Sequence, residues 1–268
     1  MVYDTVIVGG GLFGSIIGAA MRAEGRDVCI IDAHKEGAGS LPAACLMKPS
    51  WFSGLGKEIY EPSLELLDSL YGVQDIQFKV SGLTATVHWC DPASILNKGI
   101  TDGTVVSIRS GEVGLKDGSV VQGRHIIVAA GVWTKTLANY NYLEGRAGAA
   151  FLRPKTATTQ PFVRPWAPYR QLVAFNRGDG LWVGDGTSIK PENWSPERER
   201  VSKDRCLAAV GSQDDGWQTL YGIRPYVKGV KHAVVEQVMK DVWIATGGAK
   251  NGTIGAGWSA SWLTNRLS

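Results

Sequence analysis

The opening βαβ pattern constrains this chain more than any other stretch. An apolar run, Val6-Ile7-Val8, passes at once into Gly9-Gly10-Gly11-Leu12-Phe13-Gly14. After a helical stretch comes a second apolar run, Val28-Cys29-Ile30-Ile31, closed by Asp32. Uninterrupted apolar runs between turn residues read as buried parallel strands. Gly9, Gly11 and Gly14 have the G-x-G-x-x-G spacing, in which each glycine has its own task. Gly9 permits the tight turn, Gly11 admits a pyrophosphate to the backbone, and Gly14 lets the helix lie close on the strand. The unpaired N–H groups at the helix N-terminus, around Leu12 and Phe13, and its positive dipole end favour phosphate. Asp32, with Ala33 beside it, stands about twenty residues on, placed to accept from ribose hydroxyls. Strand, turn, helix, strand and acid in that order point to dinucleotide binding within an α/β fold.

Composition agrees with a globular enzyme. A chain of 268 residues can bury a substantial core, as one large domain or two small ones. The 34 glycines suit tight βα turns against a cofactor, and the 10 tryptophans suit core packing or cleft lining. No apolar stretch is long enough to span a membrane, and strand one starts too early for a signal peptide. Cys29, Cys45, Cys90 and Cys206 are scattered without a C-x-x-C pair. That spacing disfavours a metal site or a disulfide framework, and makes a reducing cytoplasm the default expectation. A net charge of +3 neither requires nor excludes a polyanionic partner.

Two later segments return to the same theme. Thr104 to Ile108 and Glu112 to Leu115 read as strands, and Lys116-Asp117-Gly118-Ser119 as the hairpin turn after them. His125 to Trp133 is an apolar strand that ends in small residues, Ala129, Ala130 and Gly131. Val242 to Thr246 leads to Gly247-Gly248, and Thr253 to Leu267 reads as a closing helix whose N-terminus points back at the nucleotide crevice. A nicotinamide enzyme needs no such late return, whereas a flavin must be bracketed far from the first βαβ unit.

Together these pieces resemble the FAD-dependent oxidoreductases typified by D-amino acid oxidase, glycine oxidase and sarcosine oxidase. Besides the fingerprint, the similar stretches are Gly37-Ala38-Gly39-Ser40, Ala43 to Pro49, Asp91-Pro92, Val128 to Trp133, Gly180 to Thr187, Gly222-Ile223-Arg224-Pro225 and Gly247 to Gly252. The resemblance implies a Rossmann-type FAD-binding domain and a second, mixed α+β substrate domain. The first would be discontinuous, from about 1–50, 88–140 and 216–268, and the second from about 51–87 and 141–215. Cofactor contacts would come from Gly9, Gly11, Leu12, Phe13, Gly14, Asp32, Ala33, Ser40, Ala44, Met47, Val106, Ala130, Gly131, Trp133, Gly248, Asn251, Gly252 and Thr253.

The resemblance also assigns chemistry. Arg224 would fork onto a substrate carboxylate, a task suited to a planar guanidinium, although a surface arginine capping the loop before Pro225 is the alternative. Two roles are open for Lys250, holding a carboxylate or stabilising the anionic reduced flavin, besides that of a solvated loop lysine. Lys48 is a candidate for oxygen activation. Tyr169 and Gln171 are candidates for substrate lining, with core or loop roles as the alternative. The implied reaction is hydride transfer from the α-carbon of a small amine or amino acid to flavin N5, then imine hydrolysis and reoxidation by oxygen to peroxide. No Ser-His-Asp or metal motif is needed, because the cofactor carries the hard step. His34, His88, His125 and His232 read as structural, and a covalent flavin is disfavoured because no cysteine follows Cys206.

Two departures widen the substrate question. The segments between Pro49 and Val87 and around Asp91 are short for the family. Residues 151–170 interleave Phe151, Phe162, Trp166 and Tyr169 with Arg153, Lys155, Arg164 and Arg170. Such a stretch is a proline-stiffened lid or a surface that receives a nucleic acid. Similar oxidase domains act on a modified uridine of transfer RNA, so a glycine-type amine attached to a pyrimidine is the alternative substrate. A non-catalytic FAD-binding protein is a third reading, against which Arg224 argues.

Overall fold

In the computed structural model, residues 1–48, 50, 57–96, 98–154, 160–168, 170–230 and 232–267 are described. Pro49, Lys155, Tyr169 and Lys231 lie outside the described residues.

The strands in chain order are β1 (Val2–Val8), β2 (Val28–Asp32), β3 (Leu46–Met47), β4 (Gln74–Val80), β5 (Leu83–Trp89), β6 (Ile100–Asp102), β7 (Val105–Arg109) and β8 (Glu112–Leu115). They continue with β9 (Val120–Val128), β10 (Leu143–Pro154), β11 (Phe162–Ala167), β12 (Arg170–Asn176), β13 (Gly180–Gly184), β14 (Gln218–Val227), β15 (Val234–Met239) and β16 (Val242–Thr246). The helices are α1 (Leu12–Ala23), α2 (Lys57–Tyr71), α3 (Pro92–Ile95), α4 (Thr134–Leu137), α5 (Pro196–Val210) and α6 (Gly252–Arg266).

These strands form two sheets. In the first, β16, β9, β1, β2 and β6 lie parallel in that order, with β15 antiparallel at the β16 edge. The β7–β8 hairpin joins it through β8 and β9. From β1 the chain moves to β2 on one side and later to β9 on the other. The crevice beyond the carboxyl end of β1 is therefore the topological switch point, where such sheets bind ligands. Ile7, Ile30 and Ile127 face the core beneath α1 and α6, while Val6, Val8, Cys29 and Ile31 face the opposite core, as strand alternation requires.

Glycine sets how close α1 can come. A Cβ on Gly14 would collide with the Gly9 carbonyl, and one on Gly18 would meet Ile30 Cδ1 at 2.6 Å. Asp91-Pro92 opens α3, with the Asp91 carboxylate accepting from Ala93 N–H at 2.9 Å and Pro92 in the first turn.

The second sheet is mixed, in the order β14, β10, β13, β12, β11, β4, β5, β3, with β11 and β4 as its parallel pair. On one face, α5 covers Phe151, Phe162, Leu172 and Val183. The other face sends Phe78, Phe175 and Trp182 into the core shared with α1 and α6.

Two segments sit differently from their sequence assignment. The strand β14, within 216–268, pairs with β10 from Gln218 to Val227 and so belongs to the second sheet. Its ten-residue ladder outweighs its nearness in sequence to β15 and β16. The helix α2, within 51–87, buries Tyr60 and Leu67 in the core containing Ile16 and Leu263 of α1 and α6. Apolar burial places it beside the first sheet.

Candidate active site

A cavity of about 740 Å³ runs from the carboxyl ends of the first sheet to the face of the second. Val8 at the end of β1 and Gly9 after it, Ile31 and Asp32 of β2, Ala129 after β9, and Ala245 to Gly247 at the end of β16 form one end. The volume lies within the range of pockets that hold sizeable organic ligands.

The fingerprint residues build this end by leaving space. Gly9 has a φ of +107°, and a Cβ there would lie 2.5 Å from the Ala129 carbonyl oxygen. A Cβ on Gly11 would meet Ser40 Oγ at 2.7 Å. Ser40 Oγ accepts from the Leu12 N–H at 2.9 Å, satisfying one of the unpaired donors in the first turn of α1. Gly11, Leu12 and Phe13 all line the cavity. Asp32 also lines it, and its carboxylate accepts from the N–H of Gly10 and, at 2.5 Å, from that of His34.

Other sequence candidates also meet here. Ala33, Ser40, Ala44, Ala130, Gly131, Trp133, Asn251, Gly252, Thr253, Gln171, Arg224 and Lys250 line the same cavity. Gly14 and Gly248 shape its walls from behind. Gly248 has a φ of +74°, and a Cβ on it would approach Gly252 Cα and the His232 carbonyl oxygen at 3.0 Å.

Three candidates fall elsewhere. Val106 is 58% exposed, while Val105, one position earlier, lines the cavity. Successive strand residues face opposite sides, which is why Val105 meets the cavity and the side chain of Val106 does not. Met47 is fully buried in the core, and Leu46 before it meets the cavity instead. Lys48 is half-buried just past β3 and does not line the cavity. Tyr169 lies outside the described residues.

The other end is built from charge. Arg224 on β14 donates from Nη2 to the Thr187 carbonyl. Burial lowers its pKa, while Asp185 opposes that shift. Lys250 lies in the turn before α6, with its exposed surface on the cavity. Desolvation, then the neighbouring charges of Arg224 and Arg170, lower its pKa against the pull of Asp185.

Asp185 is fully buried, although in the sequence it stands only as part of a turn. Its carboxylate accepts from Thr187 N–H at 2.8 Å, Ser202 Oγ at 3.0 Å and Arg205 Nη1 at 2.6 Å. An aspartate between two glycines at a strand end was the one signal available for it. Its backbone carbonyl accepts from Trp166 Nε1 at 2.8 Å, and Arg205 Cζ lies 3.7 Å from the centre of the Trp166 ring. The tight turn 184–187 is thus fastened from α5 and β11 together.

A loop spanning 37–45 forms the floor between the two ends. Ile223 N–H donates to the Gly37 carbonyl at 2.8 Å, and a Cβ on Gly39 would meet the Ile223 carbonyl oxygen at 2.8 Å. The buried Arg177, ion-paired with Asp179, donates to the Leu41 carbonyl at 3.0 Å, and Trp182 Nε1 donates to that of Pro42 at 3.2 Å. Cys45, at a φ of +51°, is buried beside the cavity, and burial pushes its thiol up to about 12.

Comparison with known proteins bears on this architecture. No family model matches the chain, and no curated protein matches it. Among solved structures it is similar to a glycine oxidase from Bacillus cereus, at a TM-score of 0.72 and 16% identity over 99% of this chain and 97% of that one. It is similar to an FAD-dependent oxidoreductase from Pseudomonas aeruginosa at 0.70 and 16%, over 100% and 90%. An iminodiacetate oxidase from Chelativorans matches at 0.66 and 17%, over 97% and 94%. At these identities the likeness is one of fold, so the chain shares its two-sheet architecture with these oxidases and oxidoreductases.

Proposed function

We propose that the protein is an FAD-dependent oxidase of a small amino acid or amine of the glycine or sarcosine type. The observation that carries this reading is the presence of Arg224 in the same cavity as the Gly9–Gly11–Asp32 cradle. The residues present fit a dinucleotide: Gly11, Leu12 and Phe13 at the N-terminus of α1 and Asp32 at the end of β2 line the cavity together, and the glycines let the backbone approach Ala129 and Ser40 where a Cβ would collide. Gly11, Leu12 and Phe13 would hold the pyrophosphate at the N-terminus of α1, and Asp32 the ribose hydroxyls. The first sheet would serve the cofactor and the second the substrate, with β14 supplying Arg224 from the second. Fold likeness to a glycine oxidase and an iminodiacetate oxidase supports the same assignment.

Bound FAD would supply a hydride acceptor for the substrate's α-carbon. The chain's own residues do the positioning. Arg224, held by the Thr187 carbonyl, keeps donors for a carboxylate and fixes the orientation of the carbon next to it. Lys250 adds positive charge to the same end, where partial desolvation and the charges of Arg224 and Arg170 lower its pKa. Four free cysteines suit a reducing compartment.

The test is direct. Acid precipitation of the purified protein should release FAD into the supernatant, and anaerobic glycine or sarcosine should bleach the flavin. Arg224→Ala should weaken flavin reduction by about 2–5 kcal/mol in kcat/KM, the cost of leaving a buried charge partner unpaired. Colour retained in the pellet, or equal oxidation of carboxylate-free amines by the unaltered enzyme, would count against the reading.

A second reading keeps the chemistry and enlarges the substrate to a glycine-type amine on a modified pyrimidine in DNA or RNA. The hairpin of β11 and β12 supports it. Pro165 and Gln171 line the cavity, while Arg164 is exposed, with its guanidinium 4.5 Å from the Phe162 ring centre. Phosphate contacts at such a rim would make activity on a polymer fall steeply with salt. Salt-independent bleaching by free sarcosine would exclude it.

A further inference from the structure

The cationic end of the cavity holds more positive charge than one carboxylate needs. Arg224, Lys250 and Arg170 all line it. Their closeness follows from the backbone between them. A Cβ on Gly186 would lie 3.6 Å from Lys250 Nζ and 3.4 Å from the Gln171 carbonyl oxygen, next in chain to Arg170. One residue further, the Thr187 carbonyl binds Arg224. The turn 185–187 is thus the hub of three cations.

The nearest acid does not balance them. Asp185 has no exposed surface, and its carboxylate already accepts from Arg205, Ser202 and the Thr187 N–H. Asp32, a carboxylate in the cavity lining, lies at the dinucleotide end. Among the described residues, neither Lys250 nor Arg170 has a carboxylate partner. The guanidinium of Arg170 lies 5.4 Å from the centre of the Trp166 ring. Trp166 is itself fixed by its bond to the Asp185 carbonyl and by Arg205 on its face. Stacking of this kind orients a guanidinium while leaving its N–H edge available.

We propose that Arg170 receives a second anionic group of the substrate, so that preferred amines carry a carboxylate at Arg224 and a further carboxylate or phosphoryl group at Arg170. This deepens the oxidase reading and rests on it for the carboxylate at Arg224. A substrate with one anion would leave the remaining cations facing one another, and the second anion relieves that repulsion.

The experiment uses the FAD-loaded enzyme and calorimetric titration with unreactive analogues in which sulfur replaces the amine nitrogen. Methylthioacetate carries one carboxylate, thiodiacetate two, and (phosphonomethylthio)acetate one carboxylate and one phosphonate. The dianions should bind about tenfold more tightly than the monoanion, the gain from one added charge-assisted contact. The stronger of the two identifies the second group as carboxylate or phosphoryl. In Arg170→Gln the preference should collapse toward unity, and Arg170→Lys should restore part of it. Equal affinities for all three compounds, no binding of any, or a preference that survives in Arg170→Gln would each overturn the proposal. The two readings fail separately. If glycine or sarcosine bleaches the flavin while the dianions gain nothing, the oxidase stands and the second anion falls. If the dianions bind through Arg170 but no amine bleaches the flavin, the anion site stands and the oxidase reading falls.

Discussion

The two ends of the cavity are made by opposite means. At the first sheet the site consists of atoms left out, with Gly9, Gly11 and Gly14 keeping side chains away from one another and from the backbone of Ala129. At the second sheet it consists of atoms put in, with Arg224, Lys250, Arg170 and the buried Asp185 setting the field by their charges. The first end tolerates almost no addition, and the second almost no removal. Shape at one end and charge at the other respond to different mutations and to different solution conditions.

The largest expected effect would come from adding atoms to the cradle. Gly11→Val should purify without bound FAD, because even a Cβ there lies 2.7 Å from Ser40 Oγ and the branched side chain takes the remaining space. Absorbance and circular dichroism together would separate lost flavin from lost fold. Flavin at full occupancy in this variant would break the contrast between the two ends.

Next comes removal of charge at the other end. Asp185→Asn should lower unfolding stability by about 3 kcal/mol, toward the low side for a broken buried ion pair because Arg205 keeps some contact with water. Urea denaturation measures it. A change below about 1 kcal/mol would show that the turn 184–187 is held by hydrogen bonds alone.

The smallest change concerns a residue that touches both styles of construction. Ser40→Ala deletes the acceptor for the Leu12 N–H and should cost about 1 kcal/mol, as for other helix N-terminal acceptors. Thermal unfolding should register it while FAD stays bound. Loss of FAD would move Ser40 from a support of α1 to an essential part of the cradle.

The same contrast explains what could be read from the chain alone. Gly9, Gly11, Gly14 and Asp32 were legible because a βαβ unit brings them together within a short stretch, and local spacing is what sequence displays. Arg224 and Lys250 were legible only through resemblance of the segments around them. Arg170 was visible as one of several cations in 151–170, but nothing local distinguished it from Arg164, which the structure leaves exposed. The network of Asp185, Arg205 and Trp166 was not legible, since it joins β13, α5 and β11 through packing. That Val105 rather than Val106 meets the cavity was not legible, because an apolar pair shows that a strand is present without showing its phase. The pairing of β14 with β10 was hidden for a related reason: both partners are strand-like, and adjacency in sequence says nothing about which sheet is extended.

The loop beneath the cavity has a consequence for how the molecule comes into being. Its floor is fixed by Arg177 and Trp182, which lie 136 and 140 positions from the carbonyls of Leu41 and Pro42 that they bind. Contacts across such separations close late, because the entropy of the intervening chain is lost before they repay it. The glycine turn can form as soon as its own βαβ unit does, but the surface opposite it waits for β12, β13 and β14. An emerging chain therefore carries half a mould until β14, β16 and the turn before α6 have followed, and only then becomes a vessel.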